Sequence, residues 1–264
     1  MAKDILFDII AQKKIEVAEH KQLLSLEELT KLCTSQYQCP SMKESLSASA
    51  SGIISEFKRR SPSKGWINQQ ARVEDIVPSY EASGASAVSI LTDTPFFGGS
   101  LDDILTARPL VSLPILRKDF IIDPYQIYQA QHCGASAILL IAAALSKSQC
   151  NELAAVAHSL NLEVLLEVHT QEEIDHVNEN IDMVGVNNRN LGTFHTDINN
   201  SFKLAEQLPK DMLLVSESGI SDPRTIKELR GAGFKGFLIG ETFMKTSDPG
   251  MMLKDFINTF SELS

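Results

Sequence analysis

From Gly52 onward the chain alternates short apolar runs with longer amphipathic stretches. The runs are GIISEF, AVSILT (87–92), PILRKDF (114–120), AILLI (137–141), EVLLEV (163–168), IDMVGV (181–186), MLLVSES (212–218) and GFLIG (236–240). Each has the length of a buried strand, and the stretches between them read as helices. Asp123-Pro124, Asp222-Pro223 and Asp248-Pro249 each set a capping acid before a proline at the first helical position. Ser146 with Gln149 and Thr170 with Glu173 fit the capping box, and Gly84, Gly134 and Gly231 mark helix ends. Eight strands alternating with helices predict an α/β fold, an eight-stranded parallel (βα)8 TIM barrel. The alternative, a doubly wound open sheet, lacks its GxGxxG after the first strand.

The residues before Gly52 differ in character. Ile5, Leu6, Ile9 and Ile10, then Ile15, Val17 and Ala18, predict an amphipathic helix whose polar face carries the lysines. Ser25 and Glu28 form a capping box for a second short helix, and SLSASAS (45–51) marks a boundary. Residues 1–48 are therefore expected to form a helical extension packed on a catalytic barrel of residues 49–264.

Composition narrows the function. A net charge of −10 on 264 residues excludes the basic face that nucleic acid requires, and makes any cationic cluster informative. The four cysteines, Cys33, Cys39, Cys133 and Cys150, form no CxxC pair and read as free thiols in a reducing cytosol. MAKDILFDIIAQKK is interrupted by Asp8 and does not read as a secretory signal, and AILLIAAAL (137–145) is too short to span a bilayer. A cytoplasmic protein without membrane partners is expected.

In such barrels chemistry sits at the C-terminal strand ends. SEFKRRSPSKG (55–65) ends the first run with Glu56 and Lys58 on one strand face, followed by Ser61 and Pro62. Two opposite charges on an inner face are costly to desolvate unless they open into a site. Later ends give Arg117, Lys118 and Asp119; Glu167; Asn187, Asn188 and Arg189; Glu217, Ser218 and Gly219; and Gly240 with Glu241. Any one of these alone reads as a loop charge meeting water; their recurrence at separate strand ends reads as a site.

Ser218-Gly219 and Gly240-Glu241 match the phosphate position of these barrels, after strands seven and eight. Lys58, Lys118 and Arg189 supply cations, and Glu56, Glu167 and Glu217 supply carboxylates for acid–base work. The six histidines form no HxH or HExxH pattern, so no metal site is expected; His169, close behind Glu167, is placed to touch the mouth, but a loop histidine is the preferred reading. Trp66 reads either as stacking on a ligand or as packing beside the basic loop, and Phe96-Phe97-Gly98-Gly99 either as a loop able to set an aromatic ring over a ligand or as plain loop packing.

Taken together, SEFKRRSPSKG, SILTDTPFFGGS, PILRKDFIIDPYQIYQA, LLEVH, VGVNNRNL, VSESGI and FLIGETFM closely resemble the indole-3-glycerol phosphate synthase family. The resemblance covers nearly the whole chain. It implies ring closure of 1-(2-carboxyphenylamino)-1-deoxyribulose 5-phosphate with loss of carbon dioxide and water, without metal or organic cofactor. It implies that Lys118 is the general acid, that Glu167 and Glu56 are essential carboxylates, and that Lys58 meets the substrate carboxylate. Asn187, Arg189, Glu217, Ser218 and Phe97 match substrate contacts; Ser61, Gly219, Gly240 and Glu241 match the phosphate site. The resemblance also implies that the N-terminal extension covers the barrel mouth.

Two positions depart from the pattern. Glu241 stands where some relatives have serine, so its carboxylate is expected to turn away, and Asn188 replaces a serine. A monofunctional monomer is expected, since 264 residues leave no room for a fused second barrel. The rival readings are another phosphosugar barrel, such as phosphoribosylanthranilate isomerase, and a barrel that binds without turnover.

Overall fold

The computed structural model describes residues 5–33, 39–190 and 192–263. Eight parallel strands close into a barrel in sequence order: β1 (Ile53–Phe57), β2 (Ala87–Leu91), β3 (Ile115–Lys118), β4 (Ala137–Ile141), β5 (Glu163–Val168), β6 (Met183–Asn187), β7 (Leu213–Glu217) and β8 (Phe234–Ile239). The expected architecture is present. The last strand starts two residues before its apolar run, at buried Phe234, with a register shift before Gly236.

Helices α4 (Val73–Ala82), α5 (Leu101–Ala107), α6 (Pro124–Cys133), α7 (Lys147–Ser159), α8 (Asn199–Ala205), α9 (Pro223–Gly231) and α10 (Pro249–Glu262) surround the barrel. Asp123, Asp222 and Asp248 cap their helices as expected, each followed by proline, and Ser146 with Gln149 makes a complete capping box. Gly134 ends α6 in the left-handed region, but Gly231 is the last residue of α9, and Gly233 takes the positive φ instead. The helix expected from Thr170 and Glu173 is absent. A 3-10 turn, Glu172–His176, replaces it, because the Glu173 carboxylate accepts the His169 backbone N–H at 2.6 Å.

Strand alternation divides the core. Outward side chains such as Ile53, Val88, Ile138 and Val184 pack under the helices, while Ile54, Ala87, Leu116, Leu139, Leu165, Met183, Val215 and Leu238 fill the interior. Continuing the inward series to the C-terminal ends brings in Glu56, Leu91, Lys118, Ile141, Glu167, Asn187 and Glu217. The interior is thus apolar below and charged at its mouth.

The segment before the barrel reaches both of its ends. Helix α1 (Ile5–Leu23) lies at the mouth, where Leu6 and Ile9 join the inner core. Helix α2 (Leu26–Leu32), with the expected Ser25–Glu28 capping box, runs beside α6, and the Cys33 thiol donates to the Tyr128 carbonyl. Helix α3 (Met42–Ala48) lies under the opposite end, with Met42 and Leu46 fully buried among inner residues. Its first backbone N–H groups donate to Glu163 at the start of β5.

One lysine of α1 departs from the expected polar face. Lys13 is completely buried, with its Nζ 3.0 Å from carboxylates of Glu16, Asp93 and Asp119. Asp93 and Asp119 follow β2 and β3, so this ammonium fastens α1 to two strand ends. Burial opposes its charge, but the carboxylates more than offset that and raise its pKa above the ordinary lysine value.

Candidate active site

A cavity of about 670 Å³ opens at the strand C-termini, within the range of small-molecule sites. Every residue expected at the site lines it: Glu56, Lys58, Ser61, Phe97, Lys118, Glu167, Asn187, Arg189, Glu217, Ser218, Gly219, Gly240 and Glu241. Of the residues considered alongside them, Asn188 faces elsewhere. Its side chain donates to the carbonyls of Glu217 and Ser218 and accepts from Ser201, which fixes the turn after β7.

At the floor, Lys118 Nζ lies 3.1 Å from Glu167 Oε2 and 3.2 Å from Glu217 Oε2. Beside them Lys58 pairs with Glu56, two residues back on the same face of β1. Glycines make room for these carboxylates. A Cβ at Gly185 would come within 2.1 Å of Glu217 Oε1, and one at Gly240 within 2.3 Å of Glu56 Oε1.

The charges shape one another. Burial disfavours the Lys118 ammonium, yet Glu167, Glu217 and Glu56 together raise its pKa. Burial pushes Glu167 up, but Lys118 and then His169 outweigh it and hold its pKa below the ordinary glutamate value. Glu217 goes the other way: burial raises it, Lys118 opposes only in part, and Glu167 and Glu56 add repulsion. One carboxylate is held ionised and the other holds its proton more tightly.

One wall of the cavity is apolar. Ile5 and Ile9 from α1 face Leu91, Phe97, Phe120, Leu139 and Ile141, with the Phe97 and Phe120 ring centroids 5.9 Å apart. Phe97 ends a short helical turn, Thr94–Phe97, capped by Asp93, whose other carboxylate oxygen meets Lys13.

The opposite end suits an anion. Ser218 and Gly219 both take positive φ, 67° and 81°, and a Cβ at Gly219 would strike Thr196 at 2.7 Å. Gly240 precedes a short turn, Glu241–Met244, and Ser61, Ser63 and Lys64 close the rim. The Glu241 carboxylate does not turn away as expected. It lies 3.7 Å from Lys64 Nζ and 3.6 Å from Arg189 Nη2, because these cations face it across the rim.

The basic run that follows β1 divides by function. Arg59 makes a bidentate pair with Asp103 at 2.7 and 2.8 Å, and Arg60 stacks 5.5 Å over the Trp66 ring. Lys58 and Lys64 line the cavity; Arg59, Arg60 and Trp66 hold the loop.

Sequence reading set one contributor aside and missed two. His169 is not a plain loop residue: its Nε2 lies 3.5 Å from Glu167 Oε1 and its Nδ1 lies 3.6 Å from Glu173 Oε2. Lys13 and Phe120 also escaped notice, the first hidden by helical polarity and the second by its place beyond a strand end. Among the described residues no group of three His, Cys, Asp or Glu side chains is arranged to hold a metal ion, and no helix is long and apolar enough to cross a membrane.

Comparisons with known proteins agree on one family. The family model described as indole-3-glycerol phosphate synthase matches residues 6–256. A protein of that name from Bacteroides thetaiotaomicron is 64% identical over 255 residues, covering 97% of this chain and 98% of its own. Another, from a Polaromonas species, is 42% identical over 256 residues, covering 95% and 97%. Among solved structures, thiamine phosphate pyrophosphorylase from Pyrococcus furiosus matches with TM-score 0.61 at 15% identity, over 84% of this chain and 99% of that one. Tryptophan synthase subunit alpha from Legionella pneumophila matches with TM-score 0.61 at 14% identity, over 84% and 97%. At such identities these two likenesses speak to the barrel fold alone.

Proposed function

The chain belongs to the indole-3-glycerol phosphate synthase family, enzymes of tryptophan biosynthesis, and from that premise we propose how its own residues divide the reaction. The substrate, 1-(2-carboxyphenylamino)-1-deoxyribulose 5-phosphate, has an aromatic acid at one end and a phosphate at the other. The cavity has the matching polarity, with Phe97, Phe120, Ile5 and Ile9 on one side and Ser61, Gly219, Gly240, Lys64 and Arg189 on the other. Bound across it, the substrate brings its ketone over Lys118.

The attacking ring carbon is a poor nucleophile, so the ketone needs a proton donor positioned at its oxygen. Lys118 is that donor. Its ammonium, held between Glu167 and Glu217, protonates the oxygen as the carbon–carbon bond forms. Lys58 binds the ring carboxylate until it leaves as carbon dioxide, which restores aromaticity. Departure of the new hydroxyl as water, with loss of a ring proton, completes the indole. Glu56 steadies Lys58, and Asn187 and Arg189 orient the sugar. The extension contributes through Ile5 and Ile9, which complete the apolar wall.

The observation that carries this reading is the placement of one buried ammonium between two carboxylates, at the floor of a cavity with an apolar and a cationic end. The test is to mix the protein with the carboxyphenylamino-deoxyribulose phosphate and follow indole fluorescence. Wild type gives a rapid rise, and Lys118→Ala slows turnover by about 10²–10⁴-fold. Binding without a signal from wild type sinks the proposal and favours a barrel that only binds.

A further inference from the structure

Glu167 and Glu217 both face Lys118, at 3.1 and 3.2 Å, and both are almost fully buried. A single ammonium does not readily keep two close carboxylates ionised, so one of them tends to retain a proton. The distances to Lys118 do not say which. The difference lies on the far side of Glu167. Its Oε2 meets Lys118, and its Oε1 faces His169 Nε2 at 3.5 Å. Glu217 has no second cation of this kind, and neither of its carboxylate oxygens has a hydrogen-bond partner among the described residues.

The imidazole is itself held between acids. Nδ1 faces Glu173 Oε2 at 3.6 Å, and that same oxygen accepts the His169 backbone N–H at 2.6 Å, which fixes Glu173 beside the ring. Both ring nitrogens are buried and neither makes a hydrogen bond at these distances, so the two carboxylates act on the ring through charge. A neutral imidazole carries one N–H and can serve only one of the two carboxylates; the imidazolium serves both. Asn200, on α8, donates to the His169 carbonyl at 3.1 Å and ties the residue to the barrel wall. The charged groups facing the ring are therefore Glu167 on its own strand, Glu173 on the following turn, Glu217 on β7, and Lys118 on β3 behind Glu167.

We propose that His169 is a positioning residue that decides which of the two carboxylates at Lys118 is the base and which is the acid. As an imidazolium it holds Glu167 ionised and aimed at Lys118, and so leaves the proton on Glu217. Glu167 then takes up protons during the reaction and Glu217 gives them. Burial works against the ring's charge, but Glu173, Glu167 and Glu217 outweigh it and raise its pKa, in the direction the geometry requires. This inference rests on the proposed role of Lys118 and assigns its two neighbours.

The test has two readouts. In the wild-type enzyme, with isotope-labelled histidine and the His169 signal assigned by its absence in His169→Asn, an NMR titration reads the ring directly. The ring should be charged at neutral pH and titrate above the ordinary histidine value of about 6.5. In His169→Asn, Glu167 loses a cation, so the ascending limb of the kcat profile moves up by about one pH unit. In the same variant kcat falls about ten-fold while KM stays within about two-fold, and His169→Lys, which restores the charge, moves the limb back. A ring that is neutral at neutral pH in wild type overturns the proposal. So does a His169→Asn profile that superimposes on wild type. If wild type does not turn over the substrate, the role of Lys118 fails, and the ring titration still decides the charge on His169.

Discussion

Lys13 and Lys118 are both lysines held among carboxylates near the same barrel end, yet they do opposite work. Lys13 is completely buried against Glu16, Asp93 and Asp119, and one of its partners, Asp119, is itself paired with Arg117 at 2.9 Å. Lys118 keeps a small exposed fraction, 13%, toward the cavity, which its partners Glu167 and Glu217 also line. The first cluster is closed: its charges are used up on one another, and it fastens a helix. The second opens on the cavity, on the side where we place the substrate. Burial alone does not single out the lysine to which we assign the chemistry; its exposure toward the cavity does.

The sharpest way to break this contrast is to remove each ammonium. Lys118→Ala abolishes nearly all turnover but leaves a folded barrel, because the carboxylates left behind can be protonated from the cavity. Lys13→Met strands two almost fully buried carboxylates, Asp93 and Asp119, and should cost about 3–5 kcal/mol of stability, read from urea unfolding. Its turnover per folded molecule changes far less than that of Lys118→Ala. Equal stability losses in the two variants would erase the distinction.

Acid titration sharpens it next. Asp119 has a folded pKa well below the ordinary value, because Arg117 and Lys13 outweigh its burial. Its contribution is present above about pH 3.9 and is lost as pH falls through the lower folded value. Lys13→Met removes one of those cations and moves acid unfolding to higher pH. Glu217 has the opposite sign. Its folded pKa is raised, so the fold loses stability as pH climbs from the ordinary glutamate value to the folded one. Glu217→Gln should therefore be more stable than wild type at neutral pH and no more stable in acid, as urea midpoints across pH will show.

The smallest effect is at the rim. Glu241 faces Lys64 and Arg189, the cations we place at the substrate phosphate. Glu241→Ser frees them and should lower KM by roughly two- to five-fold, within the weak range of exposed ion pairs. The gain should shrink as salt is added. An unchanged KM would mean that the carboxylate does not compete with phosphate.

The barrel was legible because alternation and run length carry the strand signal, and AILLI and EVLLEV coincide with β4 and β5. The site residues on strands were legible for the same reason, since period two points the last inward residue of each strand into the mouth. What escaped was set by tertiary partners. Thr170 and Glu173 have capping-box spacing, but His169 claims the Glu173 carboxylate, and no α-helix starts there. Lys13 sits in an amphipathic pattern that shows which residues are polar but not which polar residue meets Asp93 and Asp119. His169 follows Glu167 by two residues, yet sequence does not say that its ring stands between two acids.

The Lys13 fastening also bears on the order of assembly. Synthesis delivers Lys13 before Asp93 and Asp119, so this ammonium leaves the ribosome ahead of two of its three barrel-end and helix partners. Stripping it of water without them would cost several kcal/mol. Helix α1 therefore has no stable seat until β2 and β3 have paired and turned both aspartates toward it. Helix α1 is translated before these strands and docks after them, and its seating reports that they are in place.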